Sequence, residues 1–332
     1  MGFSNIKEIR FLPNRRVKLV NNKRPKFFYA IQNKQKKFIV AVAPGFDYAK
    51  HYYGIFRHVL LKYSVKAAND LNLYRYIDAE NNISKWTNLD KILLKNKYKQ
   101  SYVIGYIKEI VDDFSQNYGI TPDKINENEY YVLYKCIISG KTINFLGVKF
   151  SFWGSISGKL CHEICERYPK EIIYIGKLGT LGSPNDIYRK IFSPSNYFIL
   201  RHNKISANIY NLSNGFSKKY PEVLTGPHIS VPTVIEEDYI QRRLAHKLKA
   251  ESIDNEISQI ASTITDFNRK NNINIMFSPI HFATDYLRKD NDKVLIKTFD
   301  LSNNRIKEAR EKKAKILNEI SQKLFNYFKE EK

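Results

Sequence analysis

The chain has 332 residues, of which 43% are hydrophobic and 14% aromatic, and this is enough to bury one large core or two smaller ones. Its three cysteines are too few and too irregularly spaced for a disulfide framework, which favours a reducing compartment. No apolar run is long enough to span a bilayer, and the N-terminus lacks the apolar stretch of a signal peptide. We therefore expect a cytoplasmic protein of one or two domains with no membrane partner.

The formal net charge of +22 is spread along a chain rich in Lys, Asn, Ile and Tyr, as a coding bias toward A and T would produce. One segment differs, because residues 15–37 contain nine basic side chains and no acidic one, with Phe27, Phe28 and Tyr29 among them. Two interpretations stay open for this segment. It is either a solvated basic face or a surface that binds single-stranded nucleic acid through phosphates and stacked bases.

Two cysteines, Cys161 and Cys165, lie one helical turn apart beside His162. Their spacing would suit a metal ion, but no second pair of ligands follows elsewhere in the chain. We therefore predict a reduced, buried pair of thiols, no metal site and no cofactor.

The first third of the chain reads as a basic, mainly helical region, residues 1–125. Residues 38–44, "FIVAVAP", predict a short buried strand, and helical spacing follows from Asp47 to Leu71. Residues 102–114, "YVIGYIKEIVDDF", also have apolar residues at helical intervals. The pattern changes at the polar segment 119–130, so we place a domain boundary there, with a second domain over residues 126–332.

Strands and helices alternate after this boundary. Residues 130–154 predict two strands joined by a turn at Ser139–Gly140–Lys141. Helices are predicted over residues 157–168, 234–249, 255–267 and 302–328, and strands over residues 171–176, 196–202, 204–212 and 251–254. Residues 272–285 predict the last strand together with the loop that follows it. This order implies an α/β fold with a mixed, largely parallel sheet flanked by helices, in which ligands lie beyond the carboxyl ends of the strands.

Two carboxylates stand out by position. Glu256 begins a helix after a short strand and falls on the apolar stripe formed by Ile253, Ile257, Ile260, Ile264 and Phe267. Asp285 follows the last predicted strand, so both acids belong at one edge of the sheet if their strands are parallel neighbours. Simpler roles remain open, because Glu256 fits the first turn of a helix and Asp285 fits a helix cap.

Five segments in order resemble the nucleoside phosphorylase superfamily, especially methylthioadenosine/S-adenosylhomocysteine nucleosidase. They are "GSISGKLCHEI", "EIIYIGKLGTL", "TGPHISVPTVIEED", "SIDNEISQIA" and "SPIHFATDYL". The family has a "tGIGkvnAA"-like turn, "GtaGgL", "SgDaFi", a "vdMEaaAiA" helix and a strand ending in "iSD". The resemblance covers residues 130–328 and implies that family's fold, a homo-oligomer and a nucleoside-cleaving activity.

The resemblance also implies roles for single residues. Glu256 matches the glutamate that hydrogen-bonds the ribose hydroxyls, and Asp285 matches the aspartate that donates a proton to the purine. Such a pair suits an oxocarbenium-like transition state, in which the sugar needs negative charge and the base needs a proton. Further candidates for contacting the substrate lie around the predicted base pocket; these are Ser230, Thr233, Val234, His228 and His281. Each of these also fits a purely structural role.

Some positions depart from the family pattern. Lys177 replaces a small hydroxyl residue, so it either binds an anionic group such as a phosphate or fills the site. Asn255 replaces the methionine that precedes the glutamate. The family's first strand has two candidates, residues 38–44 followed by Gly45 and Asp47, or residues 102–114 with Glu109 on a helix. Without an assigned nucleophile-activating group, hydrolysis and phosphorolysis stay open, with phosphate as a co-substrate of the second.

Two functions therefore compete. The first is an enzyme that cleaves the N-glycosidic bond of a purine-like nucleoside or nucleotide. The second is a non-catalytic protein of the same fold that senses a nucleotide or binds nucleic acid through residues 15–37.

Overall fold

The computed structural model describes residues 4–9, 25–42, 45–75, 77–94, 100–150, 152–234, 239–287 and 307–330. The chain forms two compact units. The first contains residues 1–82 with Lys149–Ser151, and the second contains residues 83–148 and 152–332.

The first unit combines a small antiparallel sheet with helices. Asn33 and Lys34 have positive φ and form the turn between the second and third strands. Its elements are β1 (Ser4–Ile9), β2 (Lys26–Gln32), β3 (Gln35–Ala41), α1 (Phe46–Tyr63), α2 (Val65–Asn69) and α3 (Ile77–Asn81), with the strands in the order β1-β2-β3. Thus the predicted helical spacing after Asp47 corresponds to α1 and α2, and three strands precede it.

The second unit is built on a large mixed sheet. Its elements are α4 (Ile83–Thr87), α5 (Leu89–Ile92), β4 (Ser101–Gly105), α6 (Ile107–Tyr118), β5 (Asp123–Glu127), β6 (Tyr131–Ile138), β7 (Lys141–Val148), α7 (Ser155–Cys165), β8 (Glu171–Thr180), β9 (Ile191–Phe192), β10 (Tyr197–Arg201), β11 (Lys204–Ile209), α8 (Gly215–Lys219), β12 (His228–Ser230), α9 (Tyr239–Lys247), β13 (Ser252–Asp254), α10 (Ile257–Asn271), β14 (Met276–Tyr286) and α11 (Lys307–Glu330).

The strands of this sheet follow the order β11-β10-β12-β13-β8-β4-β7-β6-β5, and β14 pairs with β8 and β9. The pairs β4–β7, β4–β8, β8–β14, β10–β12 and β12–β13 are parallel, whereas β13 runs antiparallel to β8. The prediction of an α/β fold with a mixed sheet and flanking helices is confirmed.

The core of the second unit joins this sheet to two helices. Ile173 and Ile175 of β8 and Phe282 of β14 belong to one buried apolar cluster with residues of α6 and α11, among them Ile110, Phe114, Ile316, Ile320, Leu324 and Phe328. Helices α7 and α10 pack against each other, and Gly158 of α7 leaves room for Gln259 and Thr263 of α10. The buried residues of α11 recur at helical intervals and form one apolar face.

Two predicted elements differ in the structure. Residues 102–114 form strand β4 and then helix α6, because β4 pairs with β7 and β8 and the chain turns at Gly105, which has φ 103°. Of the predicted strand 38–44, residues 38–41 belong to β3, which pairs with β2 in the small sheet, and residues 43 and 44 lie outside the described residues. The early strand that enters the large sheet is β4.

The predicted boundary near residue 125 also differs from the observed units. The compact units divide the chain after Asn82, and the segment from Ile83 to Val148 belongs to the larger unit. The physical reason is that β4 hydrogen-bonds to β7 and β8 and so joins residues before and after the predicted boundary in one sheet.

Candidate active site

The end of β8 pairs with the two strands that carry or lead to the predicted carboxylates. Gly179 of β8 lies opposite Asp285 on β14 and opposite Ile253 on β13, which leads directly to Asp254 and Glu256. A Cβ atom added at Gly179 would lie 3.0 Å from Asp285 Oδ2. We expected both acids at one edge of the sheet if their strands were parallel neighbours. Strands β13 and β14 instead each pair with β8, the first antiparallel and the second parallel, so the shared site of the two acids stays a prediction.

Asp254 is the most extensively hydrogen-bonded acid at this edge. Its Oδ1 accepts from His228 Nε2 at 2.8 Å, from Ser230 Oγ at 2.6 Å and from the Glu256 amide at 3.0 Å. Its Oδ2 accepts from the Ile257 amide at 3.0 Å. Burial raises the pKa of Asp254, but the His228 and Ser230 contacts outweigh burial and hold this pKa below its usual value. Asp254 is thus stabilised as a carboxylate.

Glu256 lies beside Asp254 as the N-cap residue of α10, so it precedes the helical stripe on which we placed it. Ile253 likewise lies in β13 and outside the helix. Burial raises the pKa of Glu256 well above its usual value, the nearby Asp254 carboxylate raises it further, and the Asn255 amide and Lys177 oppose both effects. Of two neighbouring acids, Asp254 takes the charge and Glu256 retains a proton to higher pH.

Asp285 lies at an irregularity in the pairing of β14 with β8. Its Oδ1 accepts a hydrogen bond of 2.8 Å from Thr284 Oγ1. Burial raises the pKa of Asp285, while the Thr284 bond and the Lys177 ammonium lower it. Lys177 therefore interacts electrostatically with both Asp285 and Glu256, which identifies these three side chains as one charged cluster.

His281 is completely buried on β14, and its ring packs edge-to-face with Tyr174, with 4.6 Å between ring centroids. Neither ring nitrogen has a hydrogen-bond partner within the described part of the chain. Burial lowers the pKa of His281 from 6.5 to about 3, the Asp254 carboxylate opposes this change and His228 adds to it. His281 is therefore a neutral imidazole.

The other predicted contact residues divide into two groups. His228 and Ser230 are fully buried and are engaged with Asp254, and Ser230 Oγ also accepts from the Ser258 amide at 2.8 Å. Thr233 is buried, whereas Val234 is 53% exposed. The geometry thus gives His228 and Ser230 supporting contacts with an acid, and their predicted contact with a base ring stays a prediction.

Sequence reasoning missed Asp254 and Tyr174. Asp254 ends β13 and precedes Glu256 by two residues, so its place at a strand end was a usable signal. Tyr174 is buried, and burial first and then Glu256 and Asp254 raise its pKa well above its usual value. Its position in the middle of an apolar strand gave no sign that it packs against His281 or that Glu256 and Asp254 influence its pKa.

The remaining candidates of the sequence lie elsewhere. Glu109 lies on α6, as predicted, 3.5 Å from Lys313 Nζ. The thiols of Cys161 and Cys165 are free and buried. No group of three or more His, Cys, Asp or Glu side chains suited to a metal ion occurs among the described residues. Nor does any helix within the described ranges have the length and apolar character needed to cross a membrane.

The basic segment 15–37 is described only from residue 25 onward, so Arg15, Arg16, Lys18, Lys23 and Arg24 lie outside the described residues. In the described part, Phe27 stacks on Phe38 with ring centroids 5.8 Å apart. Phe28 lines a cavity of about 690 Å³ within the first unit. Tyr29 is 41% exposed. Phe27 and Phe28 therefore make contacts within the first unit, and Tyr29 is the exposed member of the three.

Comparison with known proteins connects this geometry to one fold. No family model matches the sequence. A curated relative, oxidoreductase cns1 of Cordyceps militaris, is 27% identical over 293 residues, which cover 84% of this chain and 37% of that protein. The chain thus spans well under half the length of this relative.

Solved structures of nucleosidases resemble the chain more completely. The 5′-methylthioadenosine nucleosidase of Arabidopsis thaliana in apo form superposes with a TM-score of 0.53 at 14% identity and covers 71% of this chain and 98% of its own. An MTA/SAH nucleosidase gives a TM-score of 0.51 at 13% identity with the same coverage. The chain therefore has the fold of the nucleoside phosphorylase and methylthioadenosine nucleosidase superfamily, as its sequence motifs predicted.

Proposed function

We propose that this protein is an enzyme that cleaves the N-glycosidic bond of a purine-like nucleoside or nucleotide. Asp285 donates a proton to the leaving base, and Glu256 binds the ribose hydroxyls. The single observation that carries the proposal is the strand register at the end of β8, where Gly179 lies opposite Asp285 and opposite Ile253, three residues before Glu256. The nucleosidase fold supports it.

The environment of Asp285 suits a general acid. A leaving purine needs a proton as the bond between its nitrogen and the sugar breaks, and a carboxyl group delivers one only if it is still protonated near neutral pH. Burial raises the pKa of Asp285 and so favours this protonated form. Because Asp285 is partly exposed, it can also reach a substrate.

The environment of Glu256 suits a sugar. The hydrogen-bond donors around the acid pair, His228, Ser230 and the Ile257 amide, are directed to Asp254, and the Asn255 amide lies 3.3 Å from Glu256 Oε2. Glu256 therefore has acceptor capacity left for the hydroxyls of a ribose. The ionised Asp254 beside it supplies negative charge near the positive sugar of the transition state.

The test is release of free base from a panel of purine nucleosides and nucleotides, comparing the parent protein with Asp285→Asn. Loss of general acid assistance should lower kcat by about 10²- to 10⁴-fold. Asp266→Asn is the matched control, since Asp266 is an exposed acid on α10 whose side chain contacts Arg269. Equal activity of the parent and Asp285→Asn would overturn the assignment, as would the absence of base release from every compound.

A further inference from the structure

An apolar cavity of about 690 Å³ lies within the first unit. Its walls come from strand β3, helix α1 and residues 70–75, which follow α2. Six aromatic side chains line it, and these are Phe28, Phe38, Tyr52, Tyr53, Phe56 and Tyr74. Phe38 and Tyr74 are 59% and 58% exposed, so the cavity is open to solvent. A cavity of this size is typical of a ligand site, because well-packed interiors contain few voids larger than a water molecule.

The cavity follows the edge of β3. Side chains of consecutive strand residues point to opposite faces of a sheet, yet every residue from Lys37 to Ala41 lines this cavity. Both faces of a strand border one cavity where that cavity follows the strand's edge. The small sheet has the order β1-β2-β3, so the side of β3 away from β2 has no partner strand among the described residues. An unpaired strand edge and an apolar cavity therefore coincide.

The free edge of β3 offers backbone hydrogen-bonding groups to a ligand. β3 pairs with β2 over its full length of seven residues, from Gln35 opposite Gln32 to Ala41 opposite Lys26. In an antiparallel pair only alternate residues bond to the partner strand, so about half of the N–H and C=O groups of β3 point away from β2. An extended peptide satisfies such a row, because its own backbone has the same spacing.

The charge around this edge favours an acidic partner. Residues 1–82 contain 16 Lys or Arg and 5 Asp or Glu, so about a quarter of the chain carries half of its net charge of +22. Three hairpin lysines, Lys34, Lys36 and Lys37, lie at or next to the turn between β2 and β3. Their side chains are exposed and have no ion-pair or hydrogen-bond partner in the described part of the chain. The hairpin end of the edge is thus cationic.

The segment after α2 has its charges balanced within the unit. Arg75 Nε donates to Glu80 Oε2 at 3.0 Å, and the Arg75 guanidinium lies 4.8 Å from the centroid of the Phe46 ring. Asn72 Nδ2 donates to the Asp70 carbonyl oxygen at 2.9 Å, and Asp70 is one exposed acid on the wall. These contacts leave the hairpin lysines as the unbalanced charge at the cavity.

We propose that the edge of β3 binds an extended, acidic peptide segment of a partner protein. The peptide adds a fourth strand to the small sheet, its alternate apolar side chains enter the cavity beside α1, and its acidic side chains lie near the hairpin lysines. A peptide fits better than a compact small molecule, because it uses both the row of backbone groups and the apolar cavity. The inference is independent of the proposed function, since no residue of the candidate active site takes part.

The experiment measures binding of fluorescein-labelled heptapeptides to the full chain by fluorescence anisotropy. In each peptide Asp or Glu alternates with Val, Ile, Leu, Phe or Tyr, and the length matches the seven residues of β3. The tightest-binding peptide is then N-methylated at alternate residues, in either of the two frames. Methylation in the frame that faces β3 should weaken binding by about 10-fold or more, and methylation in the other frame should have a smaller effect. Replacing the acids of the peptide with lysine should weaken binding by about 10-fold or more.

Two substitutions place the peptide on the protein. Ala49→Phe fills part of the cavity from α1 and should weaken binding by about 10-fold or more, whereas His58→Phe adds the same ring at an exposed position of α1 outside the cavity. Lys37→Met should weaken binding by about 3- to 5-fold, as expected for one exposed charge, and Lys62→Met on α1 should behave as the parent does. Circular dichroism establishes that each variant folds, and the methylated peptides provide the test if Ala49→Phe does not.

Several results would overturn the inference. They are the absence of saturable binding across the peptide panel, equal weakening by methylation in the two frames, and binding that is unchanged in folded Ala49→Phe. Binding that is indifferent to the exchange of acids for lysine would overturn the choice of an acidic partner. Sedimentation velocity gives a further test, because a parent dimer that Ala49→Phe converts to a monomer would mean that a second copy of the chain occupies this edge.

Discussion

Replacing His281 with leucine should make the protein less sensitive to acid. His281 is completely buried, and its two ring nitrogens have no hydrogen-bond partner in the described ranges. Protonating it in the folded state would place an extra charge in a site that offers no acceptor to it. This is why burial lowers its pKa from 6.5 to about 3.

The magnitude follows from this change in pKa. A histidine whose folded-state pKa is depressed contributes stability that is fully present above its unfolded pKa of 6.5 and is lost as the pH falls toward about 3. Each unit of pKa difference corresponds to about 1.4 kcal/mol. Between roughly pH 7 and pH 4, His281 should therefore lower the free energy of unfolding by about 3 kcal/mol, and leucine at this position removes that loss.

Urea unfolding at a series of pH values measures this difference. The chain has two tryptophans, Trp86 and Trp153, and both belong to the second unit, so tryptophan fluorescence reports on the unit that contains His281. His246→Leu, at an exposed position on α9, is the control and should keep the pH dependence of the parent. Parallel curves for the parent and His281→Leu would refute the reasoning, because they would mean that the pKa of His281 is the same in the folded and unfolded states.

Three further substitutions test the framework of the site by urea unfolding. Asp254→Ala should lower the free energy of unfolding by about 3–5 kcal/mol, because it removes the acceptor of two buried side-chain donors and of the Ile257 amide at the start of α10. Asp254→Asn keeps an acceptor and should cost less, and equal costs would contradict this account. Gly105→Ala should lower the free energy of unfolding by at least about 2 kcal/mol, because φ is 103° and a Cβ would overlap the Ile175 carbonyl oxygen. An unchanged free energy of unfolding would mean that alanine fits this backbone without strain. Tyr327→Phe removes a hydroxyl that donates to the buried Glu171 carboxylate at 2.9 Å, so it should lower the free energy of unfolding by about 1–3 kcal/mol. An unchanged free energy of unfolding would mean that Glu171 does not need this donor.

Much of the larger unit could be predicted because its elements have strong local patterns. The hairpin of β6 and β7 turns at Ser139 and Gly140, which both have positive φ, and the sequence marks this turn by its small and polar residues. The alternation of strands and helices after residue 130 likewise implied a mixed sheet. Each of these inferences depends on neighbours a few residues apart.

Strand β4 was missed because its evidence is not local. Residues 102–114 show apolar spacing that suits one helix throughout, and the strand exists because β7 and β8 hydrogen-bond to it from both sides. The same holds for the small sheet of the first unit, in which β3 is defined by its pairing with β2. Long-range pairing of this kind also placed the unit boundary at residue 82.

In the candidate site, too, local sequence patterns could be predicted and long-range contacts could not. Glu256 and Asp285 could be assigned to one edge of the sheet, because the sequence places each of them near the end of a strand. Glu256 does follow β13, whereas Asp285 lies within the last residues of β14. The hydrogen bonds of Asp254 could not be predicted, because they require the pairing of β12 with β13, which places Ser230 opposite Asp254 and His228 opposite Ser252. His228 Nδ1 lies 2.8 Å from Ser252 Oγ, so this histidine is held at both ring nitrogens.

The arrangement around Asp254 also explains why a carboxyl group lies next to the apolar side of α10. Two neighbouring acids share one set of donors, and the strand pairing directs those donors to Asp254. Asp254 therefore carries the negative charge and accepts from the first amides of the helix, while Glu256 keeps unused acceptor capacity and a raised pKa. A ligand that donates two hydroxyl hydrogen bonds would favour ionisation of Glu256 when it binds, so its affinity should depend on pH through Glu256 and not through Asp254.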